Sequence, residues 1–229
     1  MKYKKFITTG CSFTAGVLES IDNQTAFAWP HFCVLDLGLA TDDFLNFALP
    51  GGGNTAAISN LVYYLELNPD LDCALVGINL TALGRCDSMC NQAHLNANQD
   101  QSNKHIQQQL HIGWIHNSLD RHQVSRGSTA LTIQSCLAIV QGITYLESKN
   151  IDYFFMLMTD SIYAYSPAWF QQFLDARQDH WVKFGEITGM LEFVEQLNLQ
   201  TSSDDFHPSI QGHKHIADHV LAHLNAKKD

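Results

Sequence analysis

Apolar positions along the chain fall into two kinds of run that alternate. Residues 4–9 (KKFITT), 43–48 (DFLNFA), 72–79 (DCALVGIN) and 151–158 (IDYFFMLM) have the length and composition of strands. The last two are almost wholly apolar, which suits strands of a sheet covered on both faces. Between them lie stretches with helical spacing: residues 25–39, 54–67 and 129–148, broken pieces over 168–198 that Gly185 and Gly189 interrupt, and 210–225. Asn54 is the expected N-cap of the second helix and Ser209 that of the last. A run of breakers, Pro50-Gly51-Gly52-Gly53, separates the second strand from its helix. Strands alternating with helices predict an α/β fold, with a mostly parallel sheet between two helical layers. Four strands are legible, and a fifth is expected near 197–203, for about five in all.

Residues 87–128 break this pattern. They are rich in Asn, Gln and His, poor in aliphatics, and include NQDQSN and QQQLHIGWIHNSLD. We read them as a polar insertion into a single domain spanning residues 1–229, in which Trp114 and Ile112 are candidates to cover part of a pocket as a lid.

Composition narrows the classes of function. Of 229 residues, 45% are hydrophobic and 16% charged, so a full core can be buried. The formal net charge is −10, from 13 basic and 23 acidic residues, with no Lys/Arg-rich cluster. Such a surface repels polyanions, which argues against a nucleic-acid partner. No continuous apolar run approaches the ~20 residues of a membrane span. Residues 8–11 (TTGC) look faintly like a lipoprotein cleavage site, but only Phe6 and Ile7 stand between them and the basic start, against the ~7–15 apolar residues of an export signal. The expected location is therefore the cytoplasm, and the six cysteines (11, 33, 73, 86, 90, 136) are expected as reduced thiols. Cys86 and Cys90 lack a second pair to complete a zinc site. His215, His219 and His223 recur every four residues without the glutamate of H-E-x-x-H, the pattern of a polar helix face rather than a metal site. No metal or cofactor is expected.

Chemistry-bearing residues gather at strand ends, where open parallel sheets build their sites. The first strand delivers Gly10-Cys11-Ser12, followed by Phe13-Thr14-Ala15-Gly16. The second delivers Asn46-Phe47-Ala48-Leu49-Pro50-Gly51, and the third Gly77-Ile78-Asn79-Leu80. Asp204-Asp205-Phe206-His207 precedes the last helix. Four such blocks in this order resemble the SGNH, or GDSL-type, hydrolases, named for a serine, a glycine, an asparagine and a histidine. The resemblance runs over nearly the whole chain apart from the insertion. It implies a flavodoxin-like α/β/α fold and ester hydrolysis. In two places the chain departs from the pattern: Cys11 replaces the aspartate of G-D-S, and Leu80 replaces that of G-x-N-D.

The resemblance assigns Ser12 as nucleophile and His207 as base. A serine hydroxyl is a poor nucleophile until a neighbouring base takes its proton. Asp204, three residues before His207, has the spacing expected of the acid that orients it, with Asp205 as the fallback. The backbone N–H groups of Ser12 and Gly51 and the side-chain amide of Asn79 are the implied oxyanion donors. Arg85 and Trp114 are candidates for substrate binding. Each residue has a plainer reading: Ser12 as a helix N-cap, Gly51–Gly53 as a turn, Asn79 as a strand-end partner for a loop, and Cys11 as either a small buried residue or a rival nucleophile. The expected function is an esterase acting on a small-molecule or glycan ester, with deacetylation of a sugar or metabolite as the substrate class. An acyltransferase using the same residues, or a binding protein with a decayed site, are the competing readings.

Overall fold

A computed structural model of the protein describes residues 2–16, 27–85, 87–89, 114–116 and 129–227. Four parallel strands form the sheet: β1 (Lys5–Thr9), β2 (Phe44–Asn46), β3 (Ala74–Leu80) and β6 (Asp152–Leu157), in the order β2-β1-β3-β6. Strand β1 pairs with β2 at Ile7↔Leu45 and with β3 at Ile7↔Val76, and β3 pairs with β6 at Ile78↔Phe155. All seven residues of β3 and the last five of β6 are buried, as their apolar runs require.

Helices cover the sheet as crossover connections. Helix α2 (Trp29–Asp36) packs with the final helix α8 (Ile210–Ala226), and α3 (Asn54–Leu67) packs with α4 (Thr129–Ser148). Shorter helices follow β6: α5 (Ser161–Ala164), α6 (Ala168–Asp175) and α7 (Met190–Gln196). Together these give the predicted α/β architecture. The chain moves outward from β1 in both directions, to β2 on one side and β3 on the other. The crevice at their carboxyl ends is therefore the topological switch point, where such sheets bind ligands.

Three expectations change. The sheet has four strands, and residues 197–203 add none; Gln200 makes only an isolated antiparallel bridge to Pro208. The position beyond β6 is instead touched by Trp181 and Gly189, through single parallel bridges to Phe155 and Leu157. Asn54 is the first helical residue of α3 rather than its cap, which is Gly53. Its side chain faces inward, donating to Thr81 O and Ser135 Oγ and accepting the Thr81 N–H, each at 2.8 Å. Finally, α4 is long and apolar enough, by length and composition, to cross a membrane. It is built as a core helix: Cys136, Ile139, Ile143 and Leu146 are fully buried, and a Cβ on Gly142 would lie 2.5 Å from Ile58 of α3. The expected cap of α8 is present, with Ser209 Oγ accepting the Gly212 N–H at 3.2 Å.

Of the insertion, the structure describes β4 (Asp87–Met89) and β5 (Trp114–His116), paired antiparallel. The readings made for the rest of 87–128, and for Cys86 and Cys90, lie outside the described residues. Cys11, Cys33, Cys73 and Cys136 are free thiols.

Helix α8 contributes an unusual core residue. His213 is fully buried, and its Nδ1 accepts the Trp29 N–H at 3.2 Å, stapling the start of α2 to α8. Burial, helped by the charge of His207, pushes its pKa down to about 3. Burial also lowers His223, to about 4, and His219, which packs edge-on to Phe184 and Phe193. Each depressed histidine takes up a proton more readily when unfolded, so folding stability should fall with pH below the unfolded value of ~6.5. For His213 the fall should continue to about pH 3. Urea midpoints between pH 7 and pH 4 check this. The His213→Gln variant should show the shallower loss, because glutamine can accept the Trp29 amide without titrating.

Candidate active site

Strand β1 ends on Gly10, whose φ of +150° suits a residue without a side chain. It must also be bare for want of space: a Cβ there would lie 2.8 Å from Asn79 Cβ. The backbone then closes one helical turn, α1 (Ser12–Ala15), with Thr14 and Ala15 N–H donating to Cys11 O at 2.9 Å. Gly16, at φ +79°, ends the turn by donating to Ser12 O. Ser12 is thus the first residue of a turn, where an amide has no intrahelical acceptor and is left to point outward. The N-cap position belongs to Cys11, which sets aside the plainer reading of Ser12. Cys11 is fully buried, with its Sγ 3.5 Å from Met158 Sδ, and sits beneath the site rather than in it.

His207 arrives from the far end of the chain. Its carbonyl accepts the Thr201 N–H at 2.8 Å, and Ser209 N–H reaches back to Leu199 O at 2.8 Å, so residues 199–209 form a closed loop leading into α8. Phe13 packs against the imidazole with ring centroids 5.3 Å apart. Ser12 Oγ and His207 Nε2 stand 2.8 Å apart across 195 residues of sequence separation.

The carboxylate against His207 Nδ1 is that of Asp205 and not that of Asp204. Asp205 Oδ1 accepts from His207 Nδ1 at 2.5 Å and from the His207 backbone N–H at 3.0 Å. A carboxylate bonding the amide two residues on is an Asx-turn, and this tight loop points residue 205 inward. Asp204 is exposed, with Ser203 Oγ at 3.4 Å as its side-chain partner. Burial raises the Asp205 carboxyl, but the hydrogen bonds and charge of His207 outweigh it and leave its pKa below the ordinary value. An ionised carboxylate at Nδ1 keeps the ring proton there, so Nε2 can accept the Ser12 hydroxyl proton.

Gly51 and Asn79 belong to segments that border Gly10. Asn79 is 1% exposed, and neither Nδ2 nor Oδ1 has a partner. A buried, unpaired amide costs about 1–3 kcal/mol. Gly51 lies in a loop tied to the end of β1, with Leu49 N–H donating to Gly10 O at 3.0 Å. Asn46 has a role that its block alone did not disclose. Its Nδ2 donates to Thr14 O at 2.9 Å, while its Oδ1 accepts from Thr8 Oγ1 and Ala48 N–H, both at 3.1 Å. It therefore stitches the serine turn, β1 and the Gly51 loop together. Arg85 sits on that loop, its Nη1 donating to Gly52 O at 2.9 Å. Trp114 is placed by backbone in β5, opposite Met89, and its candidacy as a substrate contact lies outside the described side chains. Among the described residues, no group of three or more His, Cys, Asp or Glu could hold a metal ion.

No protein-family model and no curated protein matches the sequence. Solved structures do. The psychrotrophic esterase EstA from Pseudoalteromonas sp. aligns over 97% of both chains, with 13% identity and a TM-score of 0.55. TesA aligns over 96% of this chain and 98% of its own, with 13% identity and a TM-score of 0.51. A lipolytic protein of the G-D-S-L family from Veillonella parvula DSM 2008 aligns over 96% and 97%, with 13% identity and a TM-score of 0.46. The chain has the fold of EstA and TesA along nearly its whole length. At 13% identity the likeness is one of fold.

The site geometry makes a prediction independent of any substrate. A low-field proton resonance from the Nδ1–H of His207, bonded to a carboxylate, should be present in wild type and in Asp204→Asn. It should be lost or move sharply upfield in Asp205→Asn.

Proposed function

We propose that the chain is a serine esterase that cleaves a carboxylic ester through an acyl-enzyme on Ser12. The observation that carries this reading is the unbroken relay Asp205–His207–Ser12, at 2.5 and 2.8 Å, at the switch point of the sheet. Ser12 Oγ attacks the ester carbonyl while its proton passes to His207 Nε2. Asp205, already ionised, stabilises the imidazolium that forms. The tetrahedral oxyanion is met by the N–H groups of Ser12 and Gly51 and by the Asn79 side-chain amide, whose orphaned state in the free protein ends when the oxyanion arrives. His207 then gives its proton to the leaving alcohol, and water repeats the cycle to release the acid.

The two sequence departures fit this mechanism. Cys11 is fully buried, with its Sγ 3.5 Å from Met158 Sδ, so its position serves packing. Leu80 is a fully buried core residue of β3, so its position serves packing. The fold shared with EstA, whose structure was solved inhibited by monoethylphosphonate, adds support for a small ester as substrate.

Hydrolysis of p-nitrophenyl acetate tests the reading. Ser12→Ala and His207→Ala should each lose about a thousandfold or more in kcat. Asn79→Ala should lose about a hundred- to a thousandfold with KM little changed. Cys11→Ala should stay active. Wild-type turnover in Ser12→Ala would end the proposal.

A further inference from the structure

The loop that carries Gly51 is held by side chains to which the esterase mechanism gives no role. Residues Leu49, Pro50, Gly51 and Gly52 make a tight turn, with Gly52 N–H donating to Leu49 O at 2.9 Å. Proline in second place and glycine in third at φ +75° identify a type II turn. The peptide at its centre is the one whose N–H belongs to Gly51. In a type I turn of the same four residues that peptide is rotated by roughly half a turn, and its N–H faces the other way. Glycine can adopt either conformation, so the turn type decides whether this donor faces the oxyanion or turns its back on it.

Two side chains from the segment after β3 fasten the peptides immediately downstream. Arg85 Nη1 donates to Gly52 O at 2.9 Å, and its Nη2 reaches to 3.8 Å from Met158 Sδ, the sulfur that lies against Cys11. Asp87 Oδ1 accepts the Gly53 N–H and its Oδ2 the Ala56 N–H, both at 2.9 Å. Asp87 thereby does the work of an N-cap for α3, whose own cap residue, Gly53, has no side chain to offer. Gly53 must be bare for this to happen, since a Cβ there would lie 2.5 Å from Asp87 Oδ2.

We propose that Arg85 and Asp87 are positioning residues, which lock the 49–53 turn in the state that presents the Gly51 N–H to the oxyanion. The proposal rests on the reading of Gly51 as an oxyanion donor. It also ties the base of the polar insertion to catalysis, because Asp87 opens β4 and pairs with His116 of β5.

The test compares wild type, Arg85→Ala, Asp87→Ala, their double variant, Asp87→Asn and Ser12→Ala. Each is assayed for p-nitrophenyl acetate hydrolysis and for inhibition by an aryl trifluoromethyl ketone, which forms an oxyanion when a serine adds to it. Releasing the donor should lower kcat by about 10- to 100-fold in each alanine variant, with KM within about threefold, somewhat less than deleting a donor outright. Affinity for the ketone should fall by the same factor as kcat/KM, while the shape of the pH profile is kept because the relay is untouched. The double variant should lose little more than the worse single one, since both free the same turn. Asp87→Asn, which retains one acceptor oxygen, should recover part of the loss.

The proposal is overturned if both single variants keep kcat within about twofold of wild type while Ser12→Ala is inactive. Unchanged ketone affinity, or fully multiplicative losses in the double variant, overturns it as well. Wild-type activity in Ser12→Ala would instead remove the underlying esterase reading, and the proposal with it. If Asp87→Ala does not fold, Arg85→Ala and Asp87→Asn carry the same test.

Discussion

Where β1 ends, its backbone runs against Asn79 so closely that only a glycine fits, with 2.8 Å left for any Cβ at position 10. This contact sets the spacing of the ends of β1 and β3, the two strands from which the chain winds in opposite directions. The candidate site is hung from it. The serine turn begins one residue later, and the Gly51 loop is tied to Gly10 through Leu49. The buried amide of Asn79 is fixed against Gly10, two residues before Ser12. An unpaired amide at that depth is costly, and a sheet bonded through five register pairs between β1 and β3 is rigid enough to hold it there.

Against this rigid side works one long-range hydrogen bond, from Ser12 to His207. The histidine is presented by a short loop that closes on itself between Thr201 and Ser209 and leads directly into a capped helix. That helix is fastened to its neighbour α2 by His213, whose burial keeps it neutral. The negative charge beneath His207 is supplied by a carboxylate that the histidine itself holds ionised. The orientation of the ring is thus set by the two bonds His207 makes to Asp205.

Much of this was legible in the order of the residues, and the parts that were not share a physical reason. The four parallel strands and the helices over 54–67 and 129–148 follow from apolar runs and breakers, which depend on local patterns alone. Ser12 could be picked out because its block sits at a strand end, and His207 because its block leads into the last helix. Asp204 and Asp205 differ by one position in a closed loop, and only the backbone path decides which side chain turns inward. The interior use of Asn54 was hidden for a similar reason: its partners, Thr81 and Ser135, are 27 and 81 residues away. Asp87 gave no signal, because a cap supplied from another segment leaves no trace near the helix it caps. The fifth strand expected near 197–203 was a misreading of residues that instead shape the histidine loop.

The account turns on Ser12 being the activated hydroxyl. The most direct measurement is the site of covalent attachment of a serine-directed fluorophosphonate, read by peptide mass spectrometry on the folded protein. We expect a single adduct on Ser12, forming far faster than in urea-unfolded protein and abolished in His207→Ala. An adduct on Cys11, or labelling no faster than in the unfolded chain, would contradict the account.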